Sequence, residues 1–171
     1  MLTRSLLARL VPPLAVFKLG LGLYAFAVTW ERSARGNPAF PYPLYGLLAV
    51  AFGATGLLLL LGGQEDRRAL SLGSFFLVTA TAWSNGPLDL YMDAHPDVWL
   101  FAFTDALETH AFLAFYLGIF VRDFPSAPSL SVRRRIQLVA RLGAAAGAAH
   151  FILSLLLFIA ERIPQGVAWA E

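Results

Sequence analysis

The chain has 171 residues, of which 58% are hydrophobic and only 14% charged, with a mean hydropathy of +0.65; this lies outside the balance of soluble domains and describes an all-α, polytopic integral membrane bundle. A net charge of +2 implies no nucleic-acid partner, because the basic residues sit mainly beside apolar runs, where they bias topology. The absence of cysteine excludes disulfides, thiolate metal sites, iron–sulfur clusters and cysteine nucleophiles.

A membrane span needs roughly 20 apolar residues at about 1.5 Å rise each, and five such segments follow one another in a single transmembrane domain, 1–171. Residues 2–10 come first, with Leu2, Leu6 and Leu10 on one face and Pro12-Pro13 behind them, and read as a short interfacial helix. The first span is 11–30, stopped by Glu31-Arg32. Its basic start, and Ala25-Phe26-Ala27 as the mimic of a small-residue cleavage site, imitate a signal peptide, but Lys18 interrupts the apolar region and bulky Trp30 follows, so the segment reads as retained. The second span, 42–61, ends at Gly62-Gly63 before Gln64-Glu65-Asp66-Arg67-Arg68; the third, 69–85, is short and ends at Gly86-Pro87. The fourth, 98–121, ends at Arg122-Asp123-Phe124-Pro125, and the fifth is 138–160.

Arginines divide unevenly between the two sides of this arrangement. Arg4, Arg9, Arg67, Arg68, Arg122, Arg133, Arg134 and Arg135 fall on one side, and Arg32, Arg35 and Arg162 on the other. The positive-inside rule then makes the N-terminus cytoplasmic, and five crossings leave the C-terminus outside. Trp30, Trp83 and Trp99 at outer helix ends, with Trp169 beyond the fifth, agree as half of an aromatic belt. With Lys18 the one lysine beside twelve arginines, and with heavy use of Ala, Leu and Gly, the composition hints at a bacterial protein, placed in the inner membrane.

Small residues at helical spacing mark the contact faces, because lipid offers no hydrophobic drive for helix association. The stripes are Lys18, Gly22, Ala25 and Thr29; Gly46, Ala49, Gly53 and Gly56; Ser71, Ser74, Thr81 and Asn85; and Gly143, Ala146, Gly147, His150 and Ser154. Polar groups are thereby expected on interior faces. The fourth span carries Asp105, Glu108 and His110 near its middle, where one ionised side chain costs about 2.5–3.5 kcal/mol on insertion scales. On an unbroken helix Asp105 and Glu108 share a face with Phe112, and His110 is rotated about 140° from Asp105. His110 and His150 both lie about 18 Å from their own surfaces, level near the midplane, while Lys18 lies about 10 Å above the inner one. Its ammonium either climbs to Glu108 or snorkels to the cytoplasm.

Three uses of these residues compete. In the first they are structural, with Glu108 paired to Lys18 or a histidine and Asp105 bonded to Thr or Ser hydroxyls. In the second, Asp105, Glu108, His110, His150 and Lys18 form an intramembrane switch that responds to protonation or ligand. In the third, His110 and His150 ligate a haem, with Ala106, Ala114, Ala146 and Gly147 leaving room for the ring; otherwise no cofactor is expected. The outer loop offers Asp89, Asp93, His95 and Asp97 as weak metal ligands, although such a loop is more often merely solvated. Inside, Arg133, Arg134 and Arg135 follow Ser131, a candidate N-cap, and meet anionic headgroups. No phosphate loop, zinc-protease motif, serine elbow or kinase signature occurs, so no enzyme is read from the chain.

The stretch Glu65-Asp66-Arg67-Arg68-Ala69-Leu70-Ser71-Leu72-Gly73-Ser74-Phe75-Phe76-Leu77, followed by Phe120-Val121-Arg122-Asp123-Phe124-Pro125, resembles the N-terminal multi-helix membrane region of bacterial sensor proteins such as histidine kinases. The resemblance spans roughly 45–140 and rests on junction motifs. It implies a sensory input module, with a second copy or a fused or separate cytoplasmic signalling domain as partner beside the lipid bilayer; it transfers no site residue. A cytoplasmic output after this C-terminus requires a sixth helix. The expectation is therefore a non-enzymatic sensory or scaffolding module, with a small b-type cytochrome or redox subunit, and then a transporter component, as the alternatives.

Overall fold

The computed structural model describes residues 2–33, 42–123 and 129–167. Arg35, Phe124, Pro125 and Trp169 lie outside the described residues, as do the side chains of Leu2, Arg4, Leu6, Arg32 and Arg162. The described residues form helices and short turns, with no strand among them: α1 (Leu2–Ser33), α2 (Tyr42–Gly62), α3 (Arg67–Ala94), α4 (Trp99–Ala106), a 3₁₀ turn (Thr109–Phe112), α5 (Leu113–Arg122) and α6 (Leu130–Val167). Three stretches are long and apolar enough to cross a membrane: Arg9–Trp30, Tyr42–Gly62 and Leu130–Glu161.

The elements differ from the sequence expectation in four places. Residues 2–10 are not a separate helix: α1 runs unbroken through Pro12 and Pro13, and Leu7, Val11 and Ala15 pack into one core on both sides of the prolines. The third segment extends to Ala94, so Gly86-Pro87 is no stop. Pro87 is buried within α3, and tertiary packing overrides the donor it lacks. The fourth segment is broken in its middle, between α4 and α5. The last helix begins at Leu130, ahead of Ser131, which is therefore not its N-cap; the carbonyl of Ser129 accepts the Arg133 N–H at 3.0 Å.

Helix α3 is central and packs against α1, α2, α4 and α5. It starts where Asp66 caps it, accepting from the Arg68 N–H at 2.8 Å. The small-residue stripes of the first three helices are its contact faces: Gly46, Ala49, Gly53 and Gly56 are the buried residues of α2. At the α2–α3 crossing, a Cβ added to Gly56 would lie 2.8 Å from the Gly73 carbonyl, and one added to Gly73 would lie 2.9 Å from the Gly56 carbonyl. Only glycine at both positions allows that approach.

Helix α6 is the outlier, resting on α5, the 3₁₀ turn and α4 along one edge. Gly143 lies against Ala114, and Gly147 against the Ala111 carbonyl. Most of its remaining surface is exposed, including Leu138, Leu142, Ile152, Leu153 and Leu156. His150 and Ala146 are exposed with them, which corrects the expectation of an interior face there: the contact edge runs through Gly143, Gly147 and Phe151, and His150 falls at its rim.

The interior consists of two apolar clusters. The larger contains Val11, Ala15, Leu19, Leu77, Val78, Phe112, Phe115 and Tyr116. The smaller contains Ala25, Leu88, Tyr91 and Phe101, with the Tyr91 and Phe101 rings 4.0 Å apart. Along α3 and along the broken segment the residues between the two clusters include polar ones, and Lys18 of α1, beside Leu19 of the larger cluster, reaches Asp105 there.

Candidate functional site

The break is made by Leu107 and Glu108, whose backbone angles (φ −75°, ψ 78° and φ −71°, ψ 56°) leave the helical region. These are the angles of inverse γ-turns, and the hydrogen bonds agree: Glu108 N–H donates to the Ala106 carbonyl at 3.0 Å and Thr109 N–H to the Leu107 carbonyl at 2.7 Å. Two such turns in succession end α4 and free carbonyls that a continuous helix would satisfy. Non-helical backbone at membrane depth is tolerated only where protein or water meets those groups.

Protein meets them here from α1 and α3. The Lys18 side chain is fully buried, and its ammonium donates to the Asp105 carbonyl at 2.9 Å, with Asp105 Oδ1 at 4.0 Å. A cation thus sits at the negative end of the α4 dipole, where it is stabilising. The ammonium neither climbs to hydrogen-bond Glu108 nor snorkels to a surface. Thr109 Oγ1 donates to Thr81 Oγ1 at 2.8 Å, and Thr81 in turn donates to the Val78 carbonyl. The hydroxyls at the break therefore bond each other and the backbone, while Thr104 serves the Leu100 carbonyl; none of them bonds the Asp105 carboxylate.

Glu108 and His110 form the second contact. Glu108 Oε2 and His110 Nδ1 are 3.0 Å apart, but they are misaligned for a hydrogen bond, and neither finds another hydrogen-bonding partner. The break explains the pairing: the helical phasing expected between Asp105, Glu108 and His110 ends at Leu107, so Glu108 turns from Asp105 to its own neighbour. His150 on α6 lies within electrostatic range of Glu108, as does Lys18. Asn85, one turn beyond Thr81 on α3, also holds a buried, unpartnered Oδ1. The structure thus gathers Lys18, Asp105, Glu108 and His110 into one layer, with Thr81, Asn85 and Thr109 added from α3 and the break, and leaves His150 at its edge.

The other candidates are placed differently. Asp89 and Asp93 are exposed on the last turns of α3, and Asp89 interacts electrostatically with Lys18, Asp105 and Glu108. The exposed His95 stacks its ring on Tyr91 at 4.5 Å, and Asp97 is exposed. Among the described residues no three His, Asp or Glu side chains come close enough together to hold a metal ion, so this segment is not gathered into a metal site. Arg133, Arg134 and Arg135 are all exposed near the start of α6.

The break itself escaped the sequence reading because residues 104–112 contain neither Gly nor Pro. The signal that was present is density: Thr104, Asp105, Glu108, Thr109 and His110 put five polar side chains into nine residues of an apolar run. Chemically the layer sets a carboxylate 3.0 Å from an imidazole nitrogen, close enough for the charge on one to act on the other. No family model matches the chain, nor does any curated protein or solved structure.

Proposed function

We propose that this chain is a five-span inner-membrane module of a bacterial signalling system whose interrupted fourth span is a proton- or ligand-responsive switch. The observation that carries the reading is the break at Leu107-Glu108, where freed backbone, a fully buried lysine and an unaligned carboxylate–imidazole pair meet between two apolar clusters. A change in charge on Glu108 or His110 alters their attraction directly, and α4 is joined to α5 by backbone that two γ-turns already hold outside the helix. The two half-spans then repack about this joint, one population growing at the other's expense. Broken helices also line the sites of transporters, which makes a small ligand an equal trigger in this layer.

The chain lacks cysteine, so spin labels can be attached at Val98→Cys and Leu117→Cys, two exposed positions on either side of the break. Between pH 5 and pH 8 the label–label distance distribution is expected to shift in the otherwise native protein and to stay fixed in Glu108→Gln and in His110→Gln. Identical distributions at both pH values in the native background, with no ligand-induced shift either, would remove the basis of the reading.

A further inference from the structure

Away from the break, a cavity of about 500 Å³ opens between the start of α1, the end of α5 and the first half of α6. Its volume lies within the roughly 300–1,000 Å³ of small-molecule sites. Ala140, Ala144 and Ala148 on α6, with Phe115 and Ile119 on α5, make an apolar wall, and Arg122, Gln137 and Arg141 are the polar residues of its lining. Long apolar surface with cationic groups gathered at one end is the complement of an amphiphile that carries an anionic head.

The charges make the match specific. Arg122 is already paired with Asp123, its guanidinium 2.5 Å from the carboxylate. Arg141 is exposed and makes no ion pair with any described residue. Arg134, seven residues earlier and exposed, lies on the same face of α6. The mouth therefore carries a positive excess, and Gln137 between these arginines adds an uncharged hydrogen-bond donor. Nothing in the polar layer around Lys18 contributes to this cavity.

We propose that the cavity binds one anionic phospholipid of the surrounding bilayer, with an acyl chain along the alanine wall and the phosphate on Arg141 and Gln137. Native mass spectrometry of the full chain released from nanodiscs tests this, using phosphatidylglycerol and phosphatidylcholine as probes and oleate as a third arm. One phosphatidylglycerol is expected to remain bound, in preference to phosphatidylcholine. Arg141→Gln should lower its retention about fivefold, the weight of one basic residue at an anionic lipid surface. Ala145→Phe, which fills the cavity from an exposed position on its lining, should remove the lipid without changing the helical circular dichroism. The triple change of Arg133, Arg134 and Arg135 to Gln should weaken retention less than Arg141→Gln does.

Equal retention of both phospholipids, loss only in the triple variant, or undiminished binding in Arg141→Gln would overturn the proposal. Oleate displacing phosphatidylglycerol at equal concentration would transfer the cavity to fatty acids and refute the phospholipid. A dimer mass with no lipid would assign the surface to a second copy and do the same. If Ala145→Phe does not fold, Arg141→Gln decides the matter alone.

Discussion

Lys18 is the side chain on which the most depends, because among the described residues it is the largest fully buried one and it is charged. Its ammonium is satisfied by one carbonyl at 2.9 Å and by a carboxylate at 4.0 Å, so replacing it leaves both acceptors without it. Removing one partner of a fully buried pair costs about 3–5 kcal/mol. The Asp105 side chain, however, is 31% exposed, so Lys18→Met is expected to cost about 1–3 kcal/mol once solvent screening of the carboxylate is allowed for. Pairing it with Asp105→Asn should return part of that loss. Denaturation of the four proteins of the cycle in SDS, followed by circular dichroism, checks this, and a coupling near zero would mean that the lysine serves only the carbonyl. Asp66 gives a second test outside the spans. Hydrogen bonds from the Arg68 side chain and backbone hold its carboxyl below the ordinary value of 3.8. A depressed carboxylate contributes stability that is present above the unfolded value and is lost as pH falls through the folded one. The capped α3 start should therefore weaken only below about pH 4, and Asp66→Ala should lower stability at pH 7 to 8, where the cap is ionised, and flatten the acid part of the pH–stability curve, the two proteins converging at low pH.

The helices are joined by different devices, and their legibility differs accordingly. At the α2–α3 crossing, glycine lets two backbones touch, so Gly56→Leu must push Gly73 and Leu77 away and is expected to cost at least the ~1–3 kcal/mol of an overpacked core. Gly20→Ala is the control: a Cβ there meets nothing within 4 Å, and the helix should gain up to about 1 kcal/mol. Comparing the SDS midpoints of the two variants separates close approach from mere helix propensity. These stripes were readable in advance because small residues every three or four positions have one physical use in lipid. The end of α3 was misread for the converse reason. Gly86-Pro87 is a helix stop in local terms, yet Pro87 and Leu88 are buried among neighbouring elements, and burial outweighs one lost hydrogen bond. The break at Leu107 is the harder case. No residue there forbids helix, and what meets the break is Thr81 and Lys18, 28 and 87 positions distant in the chain. Local sequence holds no record of such partners.

Across the whole molecule, the fold alternates apolar cluster, polar layer and apolar cluster, and this bears on how many times the chain crosses the bilayer. Helix α3 fails a hydropathy criterion for a span, yet none of its residues from 69 to 88 is exposed. Those residues cover about 30 Å at 1.5 Å each, the thickness of the hydrocarbon core, and they separate exposed Arg67 and Arg68 from exposed Asp89 and Asp93. Its buried hydroxyls cost little, because Ser71, Ser74 and Ser84 each donate to a carbonyl one turn back. A helix shielded by α1, α2, α4 and α5 need not be apolar to cross, since lipid never meets its polar face. By the same logic the broken segment is expected to cross, with the exposed Val98 and Trp99 at one end and Val121 at the other. Two inner spans of this kind would be hidden from hydropathy, so the full count is expected to be five, with the two termini on opposite sides. Fusions after Glu171 test the count: a secreted phosphatase should be active there and a cytoplasmic fluorescent reporter dark, and the reverse pattern should hold for insertions at Gln64. A bright reporter at both positions would mean an even number of crossings, and the segment to discard would then be the broken one, since its half-helices of eight and ten residues are each too short to span alone.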